Sequence, residues 1–212
     1  EFEFNPVNKS VNIKKEKELF NDGYKYIFGI DEVGRGPLAG PIIVCFYCFD
    51  QKNDIIKDVN DSKKVSERKR NLIVEDIKNV SWDYSIGASS NIEIDRYGII
   101  EANRLAIERA YNRLNIKPDY LIFDYTTCDV DFLNIKYEKI KKGDGSIYSI
   151  ASASIIAKVF RDNLMIDISK FFPDYEFYQN KGYGTKSHIN AINKNNISSF
   201  HRKSFCDNFI KN

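Results

Sequence analysis

The feature that most constrains the fold is an uncharged, β-prone run of apolar residues, Ile42–Phe49. A shorter apolar run, Tyr26–Ile30, precedes it, and a glycine-rich segment separates the two. Short apolar runs that are bounded by turn residues are typical of strands in a protein core. The chain therefore predicts two early strands, Tyr26–Ile30 and Pro41–Phe49.

Later segments alternate between strand and helix patterns. Three more strands are predicted, over Trp82–Ala88, Tyr120–Phe123 and Ile135–Ile140. Helical spacing and capping residues predict five helices: Lys14–Asn21, a helix after Ser66 that reaches about Lys78, Asn91–Leu114 in two pieces broken at Gly98, Ile147–Phe171, and Thr185–Asn195. This order predicts an α/β protein with a mixed five-stranded central sheet that is flanked by helices.

Length and charge allow a single domain of ordinary composition. The 212 residues predict a catalytic domain over 25–212, with an N-terminal extension, 1–24, and a small helical C-terminal part from about 173. A net charge of +2 neither requires nor excludes a nucleic-acid partner. Apolar runs fall short of the roughly 18 residues that cross a membrane, and Glu1–Phe4 lacks an apolar signal core. A cytoplasmic protein with no membrane partner is expected.

The cysteine pattern does not predict a metal site. Cys45 and Cys48 have C-x-x-C spacing, but residues three apart on a strand point to opposite faces. Together with Cys128 and Cys206, they are predicted to be free core cysteines in a reducing compartment.

Acidic residues stand beside the predicted buried strands. Asp31 and Glu32 follow the first strand, Asp124 follows the fourth, and Asp144 precedes the longest uninterrupted helix. Adjacent acids at the end of a buried strand cost free energy unless a cation lies near them. Since ligands of α/β sheets gather at strand ends, these four carboxylates could meet there.

A convergence of four carboxylates would favour bound divalent ions, because like charges repel one another. Mg²⁺ prefers carboxylate, water and phosphate oxygens, and a pair of ions about 4 Å apart can promote phosphodiester cleavage. The alternative is that the four acids are separate caps and turn residues, which are common settings for Asp. The residues alone leave both interpretations open.

The glycine-rich segment Gly34–Gly40 lies between the first two strands. Glycine lets a backbone approach a ligand closely, and exposed amides bind phosphate or hydroxyl oxygens. A plain tight turn is the alternative. Dinucleotide binding is disfavoured, because Pro37 and the following strand replace the helix that a dinucleotide-binding loop requires.

Six segments resemble ribonuclease HII. The segment Ile30–Pro41 resembles its D-E-A-G-R-G-P-L-A-G-P signature. Five further segments resemble the family in the same order: Asp61–Ser66 (D-S-K-x-L-S), Lys142–Asp144 (K-G-D), Ser149–Asp162 (the long helix), Lys181–His188 (K-G-Y-G-T-K-x-H) and His201–Phe205 (H-R-x-S-F). The resemblance extends from about residue 25 to 207, and six ordered matches argue against coincidence.

This resemblance implies a ribonuclease H-like fold with a D-E-D-D metal site. By motif, the catalytic residues and ligands of Mg²⁺ or Mn²⁺ are Asp31, Glu32, Asp124 and Asp144. Three positions depart from the family pattern: Tyr125 replaces the usual glycine, and Gly98 and Asn103 lie near an asparagine and a threonine of the family helix.

The resemblance also implies contacts with the substrate. Gly34, Arg35 and Gly36 correspond to the loop that contacts the ribose 2′-hydroxyl, the group that separates RNA from DNA. Tyr183 corresponds to the tyrosine that packs on the next sugar at an RNA-to-DNA junction, although it could be a half-buried loop aromatic. Three basic residues are expected to contact substrate: Lys63, Lys186 and Arg202.

Five other polar residues have open roles. His188 and His201 could be acid–base catalysts or structural hydrogen-bonding groups, and they are weaker candidates than the acids. Lys158 and Arg161 could approach the carboxylates or pair with surface acids. Asp162 could extend the acid cluster, although the K-G-D match favours Asp144 as the fourth member.

The implied activity is that of a ribonuclease H, an endonuclease that acts by two-metal-ion catalysis. It would hydrolyse the RNA strand of RNA–DNA hybrids and cut 5′ of single ribonucleotides in duplex DNA, leaving 3′-hydroxyl and 5′-phosphate ends. Removal of misincorporated ribonucleotides is the implied purpose, and a monomer is expected. There are two alternatives. One is a silent nucleic-acid-binding module, which the presence of all four acids disfavours. The other is ribonuclease HIII, which carries an extra N-terminal domain that residues 1–24 are too few to form.

Overall fold

The computed structural model describes residues 11–125 and 130–209. In this part of the chain, five strands form one mixed sheet: β1 (Ile27–Val33), β2 (Ile42–Phe49), β3 (Ser81–Ser89), β4 (Tyr120–Asp124) and β5 (Tyr137–Ile140). Their order is β3-β2-β1-β4-β5, with β1 antiparallel to β2 and parallel to β4. The predicted mixed five-stranded sheet is confirmed.

Helices cover both faces of this sheet. Within the described residues they are α1 (Lys14–Asn21), α2 (Glu67–Asn79), α3 (Asn91–Asn112), α4 (Tyr148–Ser169), α5 (Phe177–Asn180), α6 (Lys186–Asn195) and α7 (Lys203–Cys206). Ser66 and Thr185 cap α2 and α6 as predicted, since their side chains accept hydrogen bonds from backbone amides. The predicted break in α3 is present at Gly98, which has φ 80°.

Strand β2 is buried along its whole length, because helices pack on both of its faces. Its even-numbered residues join a core cluster with α3, and its odd-numbered residues join a cluster with α2 and α4. Cys48 and Cys45 therefore lie in opposite clusters, which confirms that they point to opposite faces of the strand. Cys206 is buried too, and Cys128 lies outside the described residues.

Helix α4 lies directly against β1, and small residues of the helix permit this contact. A Cβ atom on Gly29 would collide with the backbone of Ser149 and Ile150. Ala151–Ser154 are all buried in the same contact region. This close approach brings the start of α4 to the edge of the sheet where β1 and β4 end.

The two ends of the described chain pack onto this central unit. Leu19 of α1 lies in a cluster with Ile122 of β4 and Ile147. The C-terminal helices pack around Met165 of α4, together with Ile192 and other apolar residues. None of the helices in residues 11–125 and 130–209 combines the length and hydropathy that a membrane span requires.

Candidate active site

Three of the predicted acids lie at one edge of the sheet, where β1 and β4 run parallel. The register pairs Ile30 with Phe123, so Asp31 and Asp124 follow at the same level on neighbouring strands. Strand β1 extends beyond the predicted Ile30, because β2 continues to pair with Asp31 and Glu32. Neighbouring positions on a strand face opposite sides, so the side chains of Asp31 and Glu32 leave β1 on opposite faces of the sheet.

The fourth acid, Asp144, is carried by a single 3-10 turn, Gly143–Gly145, directly before α4. The Gly143 amide donates a 2.9 Å hydrogen bond to Oδ2 of Asp124. This bond ties the turn to the end of β4, so that Asp144 is held beside the other acids.

All four acids line one open pocket of about 700 Å³. The glycine-rich loop contributes Gly34, Arg35 and Gly36 to its wall, and Lys63 and Tyr183 lie on other sides. A separate groove of about 580 Å³ lies between α2 and α4, and its described lining contains none of the predicted site residues. The first pocket is therefore the candidate active site.

Burial and like charge act together on these carboxylates. Burial raises the pKa of Asp31 well above its usual range, and repulsion from Glu32 and Asp144 raises it further. Burial also raises the pKa of Asp144, with a further contribution from Asp61, while Lys63 opposes the shift. A divalent cation would relieve this repulsion and favour the ionised forms.

The donor chemistry fits a hard divalent ion, since all four groups are carboxylates. Within the described residues, no three acidic, histidine or cysteine side chains converge on one point as a preformed single-ion site. Mutual repulsion of carboxylates favours such separation. The four side chains would have to close by rotamer changes around bound ions.

Sequence reasoning assigned no role to Asp61, a fifth carboxylate in the pocket wall. Its Oδ1 accepts a 2.9 Å hydrogen bond from the Lys63 amide, and its carbonyl accepts one of 2.8 Å from Lys64. Asp61 therefore shapes the turn that brings two lysines to the pocket. Its place at the start of the D-S-K segment was the available signal.

In the glycine-rich loop, a side chain would be strained at Gly34 and would have open space at Gly36. Gly34 has φ +95°, and a Cβ atom there would lie 2.5 Å from Nε of Arg161 and 2.7 Å from the Pro41 carbonyl oxygen. A Cβ on Gly36 would meet nothing within 4 Å. Arg35 lies 3.5 Å from Glu32, which links the loop to the acids.

The predicted contact between Arg202 and substrate is wrong for this structure, because the side chain is 0% exposed. Its guanidinium donates to the carbonyl oxygens of Gly40, Arg35 and Gly34 at 2.9, 3.0 and 2.6 Å. Burial, together with repulsion from Arg161, lowers the pKa of Arg202 to about 9. Arg202 holds the loop from behind and does not reach a phosphate.

Neither predicted alternative describes Arg161, which is also 0% exposed. It donates to the carbonyl oxygens of Pro41, Lys181 and Ala39 at 2.8 to 3.0 Å, and so joins the glycine-rich loop to the segment before Tyr183. These bonds to backbone oxygens make Arg161 a structural tie between two walls of the pocket.

Lys158 fits the first predicted alternative but not the second, because the acid that it pairs with is buried and not on the surface. It lines the pocket and also forms a 2.6 Å ion pair with Asp162. Asp162 is 3% exposed and is bound by Arg70 at 3.3 Å, and it is absent from the described pocket lining. Asp162 therefore belongs to a supporting ion-pair network behind the acids.

Tyr183 stands in the pocket wall with 39% of its surface exposed. The Lys158 ammonium lies 5.8 Å from its ring centre, and the Arg161 guanidinium lies 5.6 Å away. Lys63 is exposed at the rim, whereas Lys186 is exposed on the first turn of α6, outside the described pocket lining.

The two histidines lie outside the described lining of the pocket, at 0% and 2% exposure. Nε2 of His188 lies 3.0 Å from Nε2 of His201, and Nδ1 of His188 lies 2.8 Å from the Tyr183 carbonyl oxygen. These positions favour the structural alternative for both residues.

The chain's sequence matches known proteins over nearly all of its length. A family model of ribonuclease HII matches residues 28–208. Ribonuclease HII from Clostridioides difficile (strain 630) is 47% identical over 202 residues, which cover 95% of this chain and 78% of that relative. The chain belongs to the ribonuclease HII family.

Solved structures agree with this family fold. Ribonuclease H2 from Pyrococcus horikoshii OT3 has a TM-score of 0.72 at 24% identity, over 89% of this chain and 100% of that chain. Bst-RNase HIII in complex with Mn²⁺ has a TM-score of 0.64 at 19% identity, over 85% of this chain and 64% of that chain. At these identities the likeness supports the ribonuclease H-like fold alone.

As a member of the ribonuclease HII family, the chain is a ribonuclease H that cleaves the RNA strand of RNA–DNA hybrids. Enzymes of this type depend on divalent metal ions. The family match also decides against the ribonuclease HIII alternative.

The three departures from the ribonuclease HII pattern have different settings. Tyr125 is 69% exposed directly after Asp124, and Gly98 has open space where a Cβ would be. Asn103 is 1% exposed, and its amide has no hydrogen-bond partner among the described residues. Asn103 therefore faces the protein interior and not a bound substrate.

Proposed function

We propose that the chain cuts nucleic-acid duplexes on the 5′ side of a ribonucleotide and leaves 3′-hydroxyl and 5′-phosphate ends. The substrates are RNA–DNA hybrids and duplex DNA that contains single ribonucleotides. One observation carries this proposal: four carboxylates and a glycine-rich loop line the same open pocket. Removal of misincorporated ribonucleotides is the corresponding cellular purpose.

Asp31, Glu32, Asp124 and Asp144 would hold two divalent ions, Mg²⁺ or Mn²⁺. The bound ions would supply Lewis acidity, which activates water and stabilises the oxygen that leaves. Support comes from the all-oxygen donor set and from the Mn²⁺ complex of Bst-RNase HIII, which has a related fold. The Gly143 amide orients Asp124 through its hydrogen bond to Oδ2.

Recognition of the ribonucleotide would come from Gly34, Arg35 and Gly36. The open side of Gly36 leaves room for a sugar to approach the backbone. Tyr183 would pack against the next sugar, because its exposed ring stands in the same pocket wall. A 2′-hydroxyl contact followed by an apolar contact with a deoxyribose is what distinguishes an RNA-to-DNA junction.

Exposed lysines would hold the duplex by its phosphates. Lys63 and Lys64 lie in the pocket wall, and Lys186 lies on the neighbouring helix. Such contacts orient a duplex without reading its sequence. Arg202 would act indirectly, by holding the loop that approaches the ribose.

The test is cleavage of a labelled DNA duplex that contains one ribonucleotide, measured with Mg²⁺ and with EDTA. We expect cuts 5′ of the ribonucleotide only when the metal is present. Asp124→Asn should lower cleavage at least about 100-fold while duplex binding persists, because a neutral amide is a poor metal ligand. Asp167→Asn, on the exposed surface of α4, is the matched control and should cleave normally.

Three results would contradict the proposal. The first is near-normal turnover in Asp124→Asn. The second is cutting at positions unrelated to the ribonucleotide. The third is duplex binding without metal-dependent cleavage, which would support the silent binding module.

A further inference from the structure

Glu16 is a buried acid outside the pocket, with 1% of its surface exposed. Its Oε1 accepts hydrogen bonds from the amide and the hydroxyl of Ser149, at 2.9 and 2.8 Å. Burial raises the pKa of Glu16, which these bonds partly oppose. A carboxylate is costly to bury, so its retention in this position suggests a specific role.

These bonds cap helix α4 from a distant part of the chain. Ser149 is the second residue of α4, and the helix lacks a side-chain cap at Ile147. The first amides of a helix need acceptors, and a carboxylate there also interacts favourably with the helix dipole. Glu16 supplies such an acceptor from α1.

A neighbouring backbone contact fixes the same region. The Asn12 amide donates to the Ser146 carbonyl at 3.1 Å, and the Tyr148 amide donates to the Asn12 carbonyl at 3.0 Å. Lys15 of α1 also pairs with Glu138 of β5 at 2.6 Å. The segment before α1 and α1 itself therefore hold the residues on both sides of the helix start.

The turn that carries Asp144 lies between two anchors. On one side, the Gly143 amide is bonded to Asp124. On the other side, the Ile147 amide is bonded to the Gly143 carbonyl at 2.9 Å, and Glu16 caps the helix that follows. A single 3-10 turn has little stability of its own, so its position depends on these anchors.

We propose that Glu16 is a positioning residue for the metal site: by capping α4, it fixes the turn that carries Asp144 and thereby sets the affinity for divalent ions. This inference rests on the proposed function of the four acids. Replacement of a residue that hydrogen-bonds directly to a metal ligand typically changes metal affinity by about 10- to 100-fold. Glu16 acts through Ser149, so the lower end of that range is expected.

The experiment compares Glu16→Ala, Glu16→Gln and Glu18→Ala in the full chain. Glu18 lies on the same helix but is exposed, and its side chain contacts Lys15 at 3.7 Å. Mn²⁺ affinity is measured by calorimetry, and amide hydrogen exchange is measured over residues 143–149. Cleavage of the one-ribonucleotide duplex is measured across Mn²⁺ concentrations.

We expect Glu16→Ala to weaken Mn²⁺ binding about 10-fold and to speed exchange over residues 143–149. High Mn²⁺ should restore much of its cleavage. Glu16→Gln retains an acceptor for Ser149 and should keep more affinity, which also provides a test if Glu16→Ala folds poorly. Glu18→Ala should match the unsubstituted protein in all three measurements.

Faster exchange in Glu16→Ala with unchanged Mn²⁺ affinity would overturn the positioning role and leave a structural cap. An equal loss of affinity in Glu18→Ala would overturn it too, because the effect would then belong to the helix as a whole. If the unsubstituted protein binds no Mn²⁺, the proposed function itself fails and the role of Glu16 in metal binding fails with it.

Discussion

Gly34 and Gly36, in the loop between β1 and β2, have opposite surroundings. Substitutions at the two positions therefore test protein stability and substrate contact separately. Gly34→Ala should destabilise the protein by about 1–3 kcal/mol, because φ is +95° and Arg161 blocks the Cβ position. Gly36→Ala should keep the melting temperature, since its Cβ would meet nothing within 4 Å. It should nevertheless lose cleavage, because the added methyl group occupies the space that a bound sugar needs.

Melting temperature and kcat/KM on the one-ribonucleotide duplex measure these two effects separately. Gly34→Ala serves as the folding control for Gly36→Ala. Full activity in Gly36→Ala would show that no sugar approaches this position, and a large drop in its melting temperature would show that the methyl group strains the free protein.

The role of a residue could be predicted from the sequence where its side chain faces the pocket. It could not be predicted where the side chain binds backbone groups of a distant segment. The acids and Tyr183 belong to recognisable segments, and the fold brings them to one pocket. The direction of Arg202 was not predictable, because a positive charge in the sequence does not reveal its acceptors. Those acceptors are carbonyl groups of the glycine-rich loop, which the fold brings from a distant part of the chain.

At the scale of elements, the buried histidine pair connects α6 to the Tyr183 segment. Nδ1 of His201 accepts from the Ser198 amide at 2.9 Å, so the proton of His201 is on Nε2 and is donated to His188. His188 then donates from Nδ1 to the Tyr183 carbonyl. Both rings must be neutral for this chain of hydrogen bonds.

Acid should therefore weaken the fold through this pair. Burial, with a contribution from His188, lowers the pKa of His201 to about 4. Since an unfolded histidine titrates near pH 6.5, the unfolded state binds more protons below that pH, and stability is lost as pH falls from about 6.5 to about 4. We expect a loss of about 1–2 kcal/mol between pH 7.5 and pH 5 from this group.

Urea unfolding at the two pH values measures this loss. His201→Gln should be less stable at pH 7.5 but should show a smaller difference between the two pH values, because the buried titrating group has been removed. An unchanged pH difference in that variant would assign the acid sensitivity to other groups.

Elements with their own local signals were predicted well from the sequence. Helix α1 matches its predicted bounds, and the capping residues Ser66 and Thr185 located the starts of α2 and α6. The four-residue helices α5 and α7 were not predicted, because such short helices are stable only through tertiary packing. Strand β1 was predicted too short, since its last residues are acidic and pair with β2.

At the scale of the whole molecule, the candidate site is a place where the fold brings several carboxylates together. Arg161 and Arg202 join its walls through hydrogen bonds to backbone carbonyl groups, and the first residues of α4 pack directly against β1. No local pattern predicts how close the carboxylates come, because that distance depends on the register of β1 with β4 and on the packing of α4.

Removal of one of these charges should therefore stabilise the metal-free protein. Asp31 lies half-buried beside Glu32 and Asp144, and its raised pKa reflects desolvation of the carboxyl group and their repulsion. In EDTA at neutral pH, Asp31→Asn should raise the free energy of unfolding by about 1 kcal/mol. For a chain of this size, that gain corresponds to a melting temperature about 2–4 °C higher.

In the presence of Mn²⁺, Asp31→Asn should instead be less stable than the unsubstituted protein. A bound ion stabilises the folded state by about 2.7 kcal/mol at 100 times its dissociation constant, and Asp31→Asn should forfeit most of this gain because it lacks one of the proposed ligands. Thermal melts in EDTA and in Mn²⁺ test both parts, with Asp167→Asn on the exposed surface as the control. A lower melting temperature of Asp31→Asn in EDTA would mean that Asp31 stabilises the fold through its own contacts, and charge repulsion in the pocket would then be smaller than its geometry indicates.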